Sequence, residues 1–79
     1  MISIINDMAI YKVTTKLRKN CNGILLEPGM SVQVVTLAGN LFSGAGGDAT
    51  EAAFQRVYGI SLRRANALNS SWLKVEKIK

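Results

Sequence analysis

Apolar and polar residues alternate in two stretches of the first half of the chain. Between residues 9 and 17, one face of the alternation is formed by Tyr11, Val13, Thr15 and Leu17. In residues 30–36, the corresponding face is formed by Met30, Val32, Val34 and Thr36. Because successive side chains of a strand point to opposite faces of a sheet, both stretches predict half-buried strands.

Two turn signals lie between these strands. Asn22 and Gly23 both tolerate a positive φ, so the pair predicts a tight hairpin turn followed by a short strand over residues 24–27. Further on, Pro28 fixes φ at the second position of a turn, and Gly29 supplies the positive φ that a type II turn requires at its third. The first half therefore predicts an antiparallel meander of three strands.

The sequence changes character at residues 38–47, which contain four glycines and no periodicity. This glycine-rich stretch predicts a connection that touches the core through Leu41 and Phe42. A helix is then expected to begin at Asp48, with Glu51 completing a capping box, and to end at Gly59. Its apolar stripe is expected to consist of Ala53, Phe54, Val57 and Tyr58.

A second short helix is expected from Ser61 to Leu68, with Leu62, Ala65 and Leu68 facing inward. A closing strand is expected over residues 72–79. The predicted fold class is α+β. It comprises a small antiparallel sheet, made of the three-strand meander and the C-terminal strand, with two short helices on one face.

The chain has 79 residues, which is enough for a single domain over residues 1–79. Residues 1–7 are interpreted as an extension, since Met8 could equally be the initiator. Hydrophobic residues make up 48% of the sequence, and a body this small has difficulty burying that much apolar surface. The surplus favours contact with a partner protein or a second copy.

Side chains suited to catalysis are scarce. The sequence has no histidine and one cysteine, Cys21, so neither a histidine-based triad nor a structural zinc site can be assembled within the chain. The five acidic residues show no recognisable pairing. We therefore expect no catalytic residue, cofactor, metal site or small-molecule substrate, and we expect a cytoplasmic protein without a membrane span.

The glycine-rich stretch raises the question of phosphate binding. Gly44, Gly46 and Ala49 satisfy G-x-G-x-x-A, the spacing of a dinucleotide-binding loop. However, the preceding strand is predicted to end near Thr36, too far upstream, and Asp48 places negative charge where a phosphate would lie. The preferred interpretation is a loop that only changes the direction of the chain.

The net charge of +5 favours anionic partners, nucleic acid among them. The two helices expected over residues 49–68 resemble a helix-turn-helix, whose second helix would enter a DNA groove. The candidate contacts are Arg63, Arg64 and Asn66 of that helix and Lys16, Arg18 and Lys19 of the first hairpin. On the other interpretation these are solvated charges, and the lysines of an exposed strand prevent unwanted sheet pairing.

Two segments resemble a family of small uncharacterised bacterial proteins found in genomes and mobile elements. They are "GMSVQVVT" at residues 29–36 and "AFQRVYGISLRRANALNSSWLKVEKI" at residues 53–78. The resemblance covers most of the chain from Met8 onward. It implies no assigned activity and suggests a phage or mobile-element origin.

Taken together, these features predict a non-catalytic binding module that acts by protein association. Self-association is the preferred form, through a free sheet edge or through an apolar patch that includes the N-terminal "MISII". Nucleic-acid binding is the alternative, and it would use the helix pair and the basic hairpin residues.

Overall fold

Five strands and one helix are present in the computed structural model, which describes residues 9–37 and 39–78. In chain order they are β1 (Ala9–Thr15), β2 (Lys19–Cys21), β3 (Ile24–Leu26), β4 (Ser31–Thr36), α1 (Gly44–Tyr58) and β5 (Leu73–Lys77). The coarse α+β prediction, antiparallel sheet plus helix plus C-terminal strand, is confirmed. The interpretation of residues 1–7 as an extension lies outside the described residues.

The main sheet has three antiparallel strands in the order β4-β1-β5. Val13 at its centre lies opposite Val32 of β4 and Val75 of β5. The C-terminal strand therefore joins the sheet as predicted, and it makes β1 the central strand. In β4 the alternation is also as predicted, because Val32, Val34 and Thr36 are buried while Gln33 and Val35 are exposed.

The predicted meander is wrong, because β2 and β3 form a separate two-stranded sheet. Cys21 lies opposite Ile24, and the two-residue loop between them has the predicted positive φ values, 54° at Asn22 and 77° at Gly23. The chain leaves the main sheet after Thr15, and Leu17, which the alternation placed on the buried face, is exposed. The β2–β3 hairpin is thus an insertion between two strands that pair directly with each other.

Thr15 explains why the insertion can leave the sheet without disturbing it. Its buried hydroxyl donates to the Glu27 carbonyl at 2.5 Å and accepts from the Met30 amide at 2.9 Å. The turn between them has the expected positive φ at Gly29, 90°. One side chain therefore fixes the point where the chain returns to start β4 beside β1.

Helix α1 begins four residues earlier than predicted, at Gly44 rather than Asp48. The residue before it, Ser43, has extended backbone and makes no side-chain capping bond, so the predicted capping box of Asp48 and Glu51 is wrong. The glycine-rich connection is correspondingly shorter. A Cβ on Gly47 would lie 3.1 Å from the Phe42 carbonyl carbon, so a larger residue here would require the Phe42 backbone to shift slightly.

The end of α1 is as predicted, because Gly59 adopts the left-handed conformation and its N–H donates to the Gln55 carbonyl. Of the expected apolar stripe, Ala53 and Phe54 are buried, but Val57 and Tyr58 are exposed. Leu41 is buried and Phe42 is packed against the core, as predicted.

The second predicted helix is wrong, since residues 62–66 form only a turn. Its backbone bonds are irregular in spacing: Ala65 donates to Ser61, Asn66 to Arg63 and Ala67 to Leu62. Asn66 then adopts a left-handed φ of 55°, which a continuing helix does not allow. Leu62 and Ala65 are nevertheless fully buried, as the inward face of the predicted helix required.

Candidate functional site

One edge of the main sheet, formed by β4, has backbone groups that are not used within the sheet. The Thr15 amide donates to the Met30 carbonyl at 2.8 Å, and such bonded pairs recur at every second position of an antiparallel ladder. Val13–Val32 and Tyr11–Val34 are therefore the bonded pairs of β1 and β4. It follows that Ser31, Gln33 and Val35 direct their N–H and C=O groups away from β1.

Helix α1 supplies a partner at only one of these three positions within the described residues. The Ser31 amide donates to the Tyr58 hydroxyl at 2.9 Å, and that hydroxyl lies 3.2 Å from the Ser31 carbonyl, to which it can donate. No hydrogen bond from the described part of the chain reaches the edge-directed backbone groups of Gln33 or Val35. The β4 edge is thus closed at its first residue and open after it.

A groove runs beside the open part of this edge, with a volume of about 280 Å³. Residues 33–35 form one wall, and α1 forms the other through Ala49, Ala52, Ala53 and Arg56. Three of these four helix residues are alanine, so the side chains leave the strand edge accessible. We call this site the β4 groove.

The opposite edge of the sheet, β5, differs in its chemistry. Three of its five residues carry charge, namely Lys74, Glu76 and Lys77, whereas β4 carries none. Charged side chains on an edge strand discourage pairing with another strand. The Leu73 amide is also occupied, since it donates to the Asn69 carbonyl at 3.0 Å. Of the two edges, β4 is therefore the one suited to accept a further strand.

The six residues predicted as nucleic-acid contacts are not gathered on one helix face. Arg63 donates to Asp48 on α1 at 2.6 Å, and Arg18 lies 3.8 Å from Glu27. The side chains of Arg63, Arg64 and Asn66 are exposed as expected, but they project from a turn. The helix-turn-helix interpretation of residues 49–68 is therefore wrong in its second helix.

Part of this predicted set does come together where the β2–β3 hairpin packs on the segment before β5. Lys19 donates to the Asn66 carbonyl at 2.9 Å, and its ammonium lies 4.4 Å from the centre of the Trp72 ring. Lys16 donates to the Ser70 carbonyl at 3.1 Å. The side-chain amide of Asn22 donates to the Arg64 carbonyl at 2.6 Å. These contacts hold the hairpin in place and engage the two lysines.

Glu51 has a structural role that differs from its predicted role in a capping box at the start of α1. Its carboxylate accepts from the amides of Leu62, at 2.8 Å, and Arg63, at 3.2 Å, and from the Ser61 hydroxyl. The side-chain amide of Gln55 donates to the same carboxylate at 3.3 Å. Glu51 therefore caps the turn after α1 instead of the start of α1. The available signal was a glutamate on the inner side of a helix followed ten residues later by a serine.

A second cleft, of about 480 Å³, opens between the hairpin tip and the end of α1. Its polar lining includes Gln55, Ser61 and Arg64, but the first two bond to Glu51 beneath them. The described residues contain no group of three or more metal-ligating side chains. Cys21 is half-buried, with its sulfur 3.5 Å from the Asn66 amide nitrogen. The described residues that line this cleft include no carboxylate and no thiol.

The fold and the β4 groove define a small α+β domain with an open, uncharged sheet edge. No helix within the described residues has the length and apolar character to cross a membrane. The chain belongs to a family of unknown function, DUF6140, whose profile matches residues 8–75. This agrees with the resemblance to an uncharacterised family seen from Met8 onward. No curated protein and no solved structure matches the chain.

Proposed function

We propose that this protein is a non-catalytic association module that binds another polypeptide by strand addition at the β4 groove. The observation that carries the proposal is a pair of backbone positions, Gln33 and Val35, whose edge-directed groups have no partner within residues 9–37 and 39–78, on an edge strand without charge. An added strand would satisfy these groups with main-chain hydrogen bonds. The alanines of α1 leave room for its side chains. Self-association is the form that we favour.

Exposed apolar side chains on the main sheet support association. Val35 and Leu37, at the β4 edge, are 52% and 60% exposed, and Ile78, which follows β5 on the other side of β1, is 48% exposed. Val35 and Ile78 both flank Ile10 in the register of the sheet. Val35, Ile10 and Ile78 lie side by side on one face of the main sheet, which we call the open face. Covering the open face would remove apolar surface from water, which favours binding. We place the association in the cytoplasm, or in a particle assembled there, with a phage or mobile element as the proposed source.

The test uses Val35→Pro, which blocks the edge while sparing the sheet. Because the Val35 amide points away from β1, proline removes no bond between β1 and β4. Val35→Ala is the matched control, since it shortens the same side chain but keeps the amide. We expect the mass measured by light scattering to rise with concentration for the wild type and Val35→Ala, and to stay that of a monomer for Val35→Pro.

The control for the open face is Ile78→Lys, which introduces a charge among exposed apolar residues away from the β4 edge. If Ile78→Lys abolishes association and Val35→Pro does not, the open face and not the groove is the contact. A wild type that stays monomeric at high concentration and still retards duplex DNA at near-physiological salt overturns the proposal in favour of nucleic-acid binding.

Nucleic-acid binding is kept as a second candidate because of one observation. Lys16, Lys19 and the backbone of Arg64 lie along the same line of contact between the hairpin and the segment before β5, in a protein of net charge +5. Such a strip could attract phosphates. The engagement of both lysines with protein carbonyls places this candidate second.

A further inference from the structure

We infer that the strand added at the β4 groove is β4 of a second copy of this chain, related by a two-fold axis that passes between the two Val34 residues and beside Ala52. The inference rests on the strand addition proposed above and specifies its partner and register. It joins the two three-stranded sheets into one antiparallel sheet of six strands. Two independent features of the groove lead to the same axis.

The first feature is the strand register that lets the edge-directed N–H and C=O groups of β4 bond to the same groups of a second copy. An antiparallel pair must place outward-directed residues of both strands opposite each other. With Ser31 occupied by Tyr58, Gln33 and Val35 are the open positions within β4. Pairing Gln33 of each copy with Val35 of the other uses all of their edge-directed groups in four hydrogen bonds. The centre of that pairing is Val34.

The second feature is the charge distribution on α1. The Tyr58–Ser31 bonds place the end of α1 beside the start of β4, so the helix runs roughly antiparallel to the strand. Ala52 lies midway between the exposed residues Asp48 and Arg56. A two-fold axis beside Ala52 makes the two helices antiparallel and sets Arg56 of each copy near Asp48 of the other. Asp48 already accepts from Arg63 of its own chain at 2.6 Å, but its side chain remains 70% exposed, so its carboxylate can also face Arg56 of the other copy.

This charge complementarity favours a second copy over an unrelated peptide. The groove presents a strand without charge, three alanines and Arg56. Asp48 lies one helical turn before Ala52, outside the groove lining, and its side chain is 70% exposed. A surface that pairs with itself across a two-fold axis must be self-complementary in this way. Ala49 and Ala52 also allow the two helices to approach closely.

Site-specific cross-linking tests the position of the axis. In a Cys21→Ser background, Ala52→Cys places one thiol of each copy beside the axis. Ala45→Cys is the matched control, an exposed alanine of the same helix that is seven residues from Ala52. The two Ala45 positions are then about 21 Å apart along antiparallel helices. We expect Ala52→Cys to form a covalent dimer on mild oxidation and Ala45→Cys to form little.

Hydrogen exchange tests the strand register without substitution. We expect the amides of Gln33 and Val35 to become more protected as the concentration of wild-type protein rises. The amides of Val75 and Lys77, on the β5 edge, should not change. Arg56→Glu should weaken association about tenfold or more, whereas Arg64→Glu, which makes the same change in charge outside the groove, should have little effect.

The outcomes separate this inference from the proposal on which it rests. A monomer at every concentration overturns this inference and the self-association form of the proposal. Concentration-dependent association with cross-linking through Ala45→Cys, or with protection at Val75 and Lys77, overturns the two-fold β4 pairing but leaves protein association intact. Association blocked by Val35→Pro, together with selective cross-linking through Ala52→Cys and protection of Gln33 and Val35, supports the inference.

Discussion

Glu51 shows how a single side chain can join two segments that the sequence does not visibly connect. It is 9% exposed, yet its carboxylate is satisfied by the turn that follows α1. From the sequence, an acidic pair at positions 48 and 51 indicates the start of a helix. The helix instead begins upstream, at Gly44, and Gly47 lies close to the Phe42 backbone. The helix propensities of individual residues do not reveal such a close approach between a helix and the loop before it.

Replacing Glu51 by alanine should destabilise the protein by about 3 kcal/mol, because the amides of Leu62 and Arg63 lose their acceptor in a buried setting. Urea unfolding followed by circular dichroism measures the change. Glu76→Ala is the control, since Glu76 is exposed on β5 and should cost no more than about 0.5 kcal/mol. Equal losses for the two variants would contradict the role assigned to Glu51.

The β2–β3 hairpin shows what local signals can and cannot predict about an element. Asn22 and Gly23 predicted the turn, and the turn has the expected left-handed backbone. The partner strands could not be predicted from the turn, because β1 pairs with β4, beyond the hairpin. The contacts of Thr15 with residues 27 and 30 fix the point where the chain returns to β4. An isolated two-stranded hairpin is marginally stable, so this one depends on the segment against which it packs.

Asn22→Gly should loosen the hairpin and leave the main sheet intact. Glycine keeps the positive φ but removes the bond to the Arg64 carbonyl. A loss of about 1 kcal/mol corresponds to roughly fivefold faster exchange of the Cys21 and Ile24 amides. The amides of Val13 and Val32 serve as the internal reference. Asn40→Gly, which removes a bond in the loop before α1, should not change the hairpin.

The coarse fold class and the buried face of β4 were accessible to sequence reasoning, whereas the pairing of β1 with β4 and the groove were not. Alternation identified Val32 and Val34 as buried, and the coarse fold followed from the order of strands and helix. The edge strands are set in part by the pairing of β5 with β1. This pairing joins parts of the chain that are distant in sequence. The general expectation of sheet-edge pairing could be stated from the sequence, but Gln33 and Val35 could be chosen only from the register.

The net charge of +5 should produce some attraction to DNA even if association through β4 is the function. Such attraction comes from the charge of the protein as a whole, so it should fall steeply with salt and be weak at about 150 mM. Fluorescence anisotropy of a labelled duplex should show equal losses for Arg63→Ala/Arg64→Ala and Lys74→Ala/Lys77→Ala, because each pair removes two positive charges. A much larger loss for the arginine pair would instead locate a specific contact at the turn after α1 and would favour nucleic-acid binding.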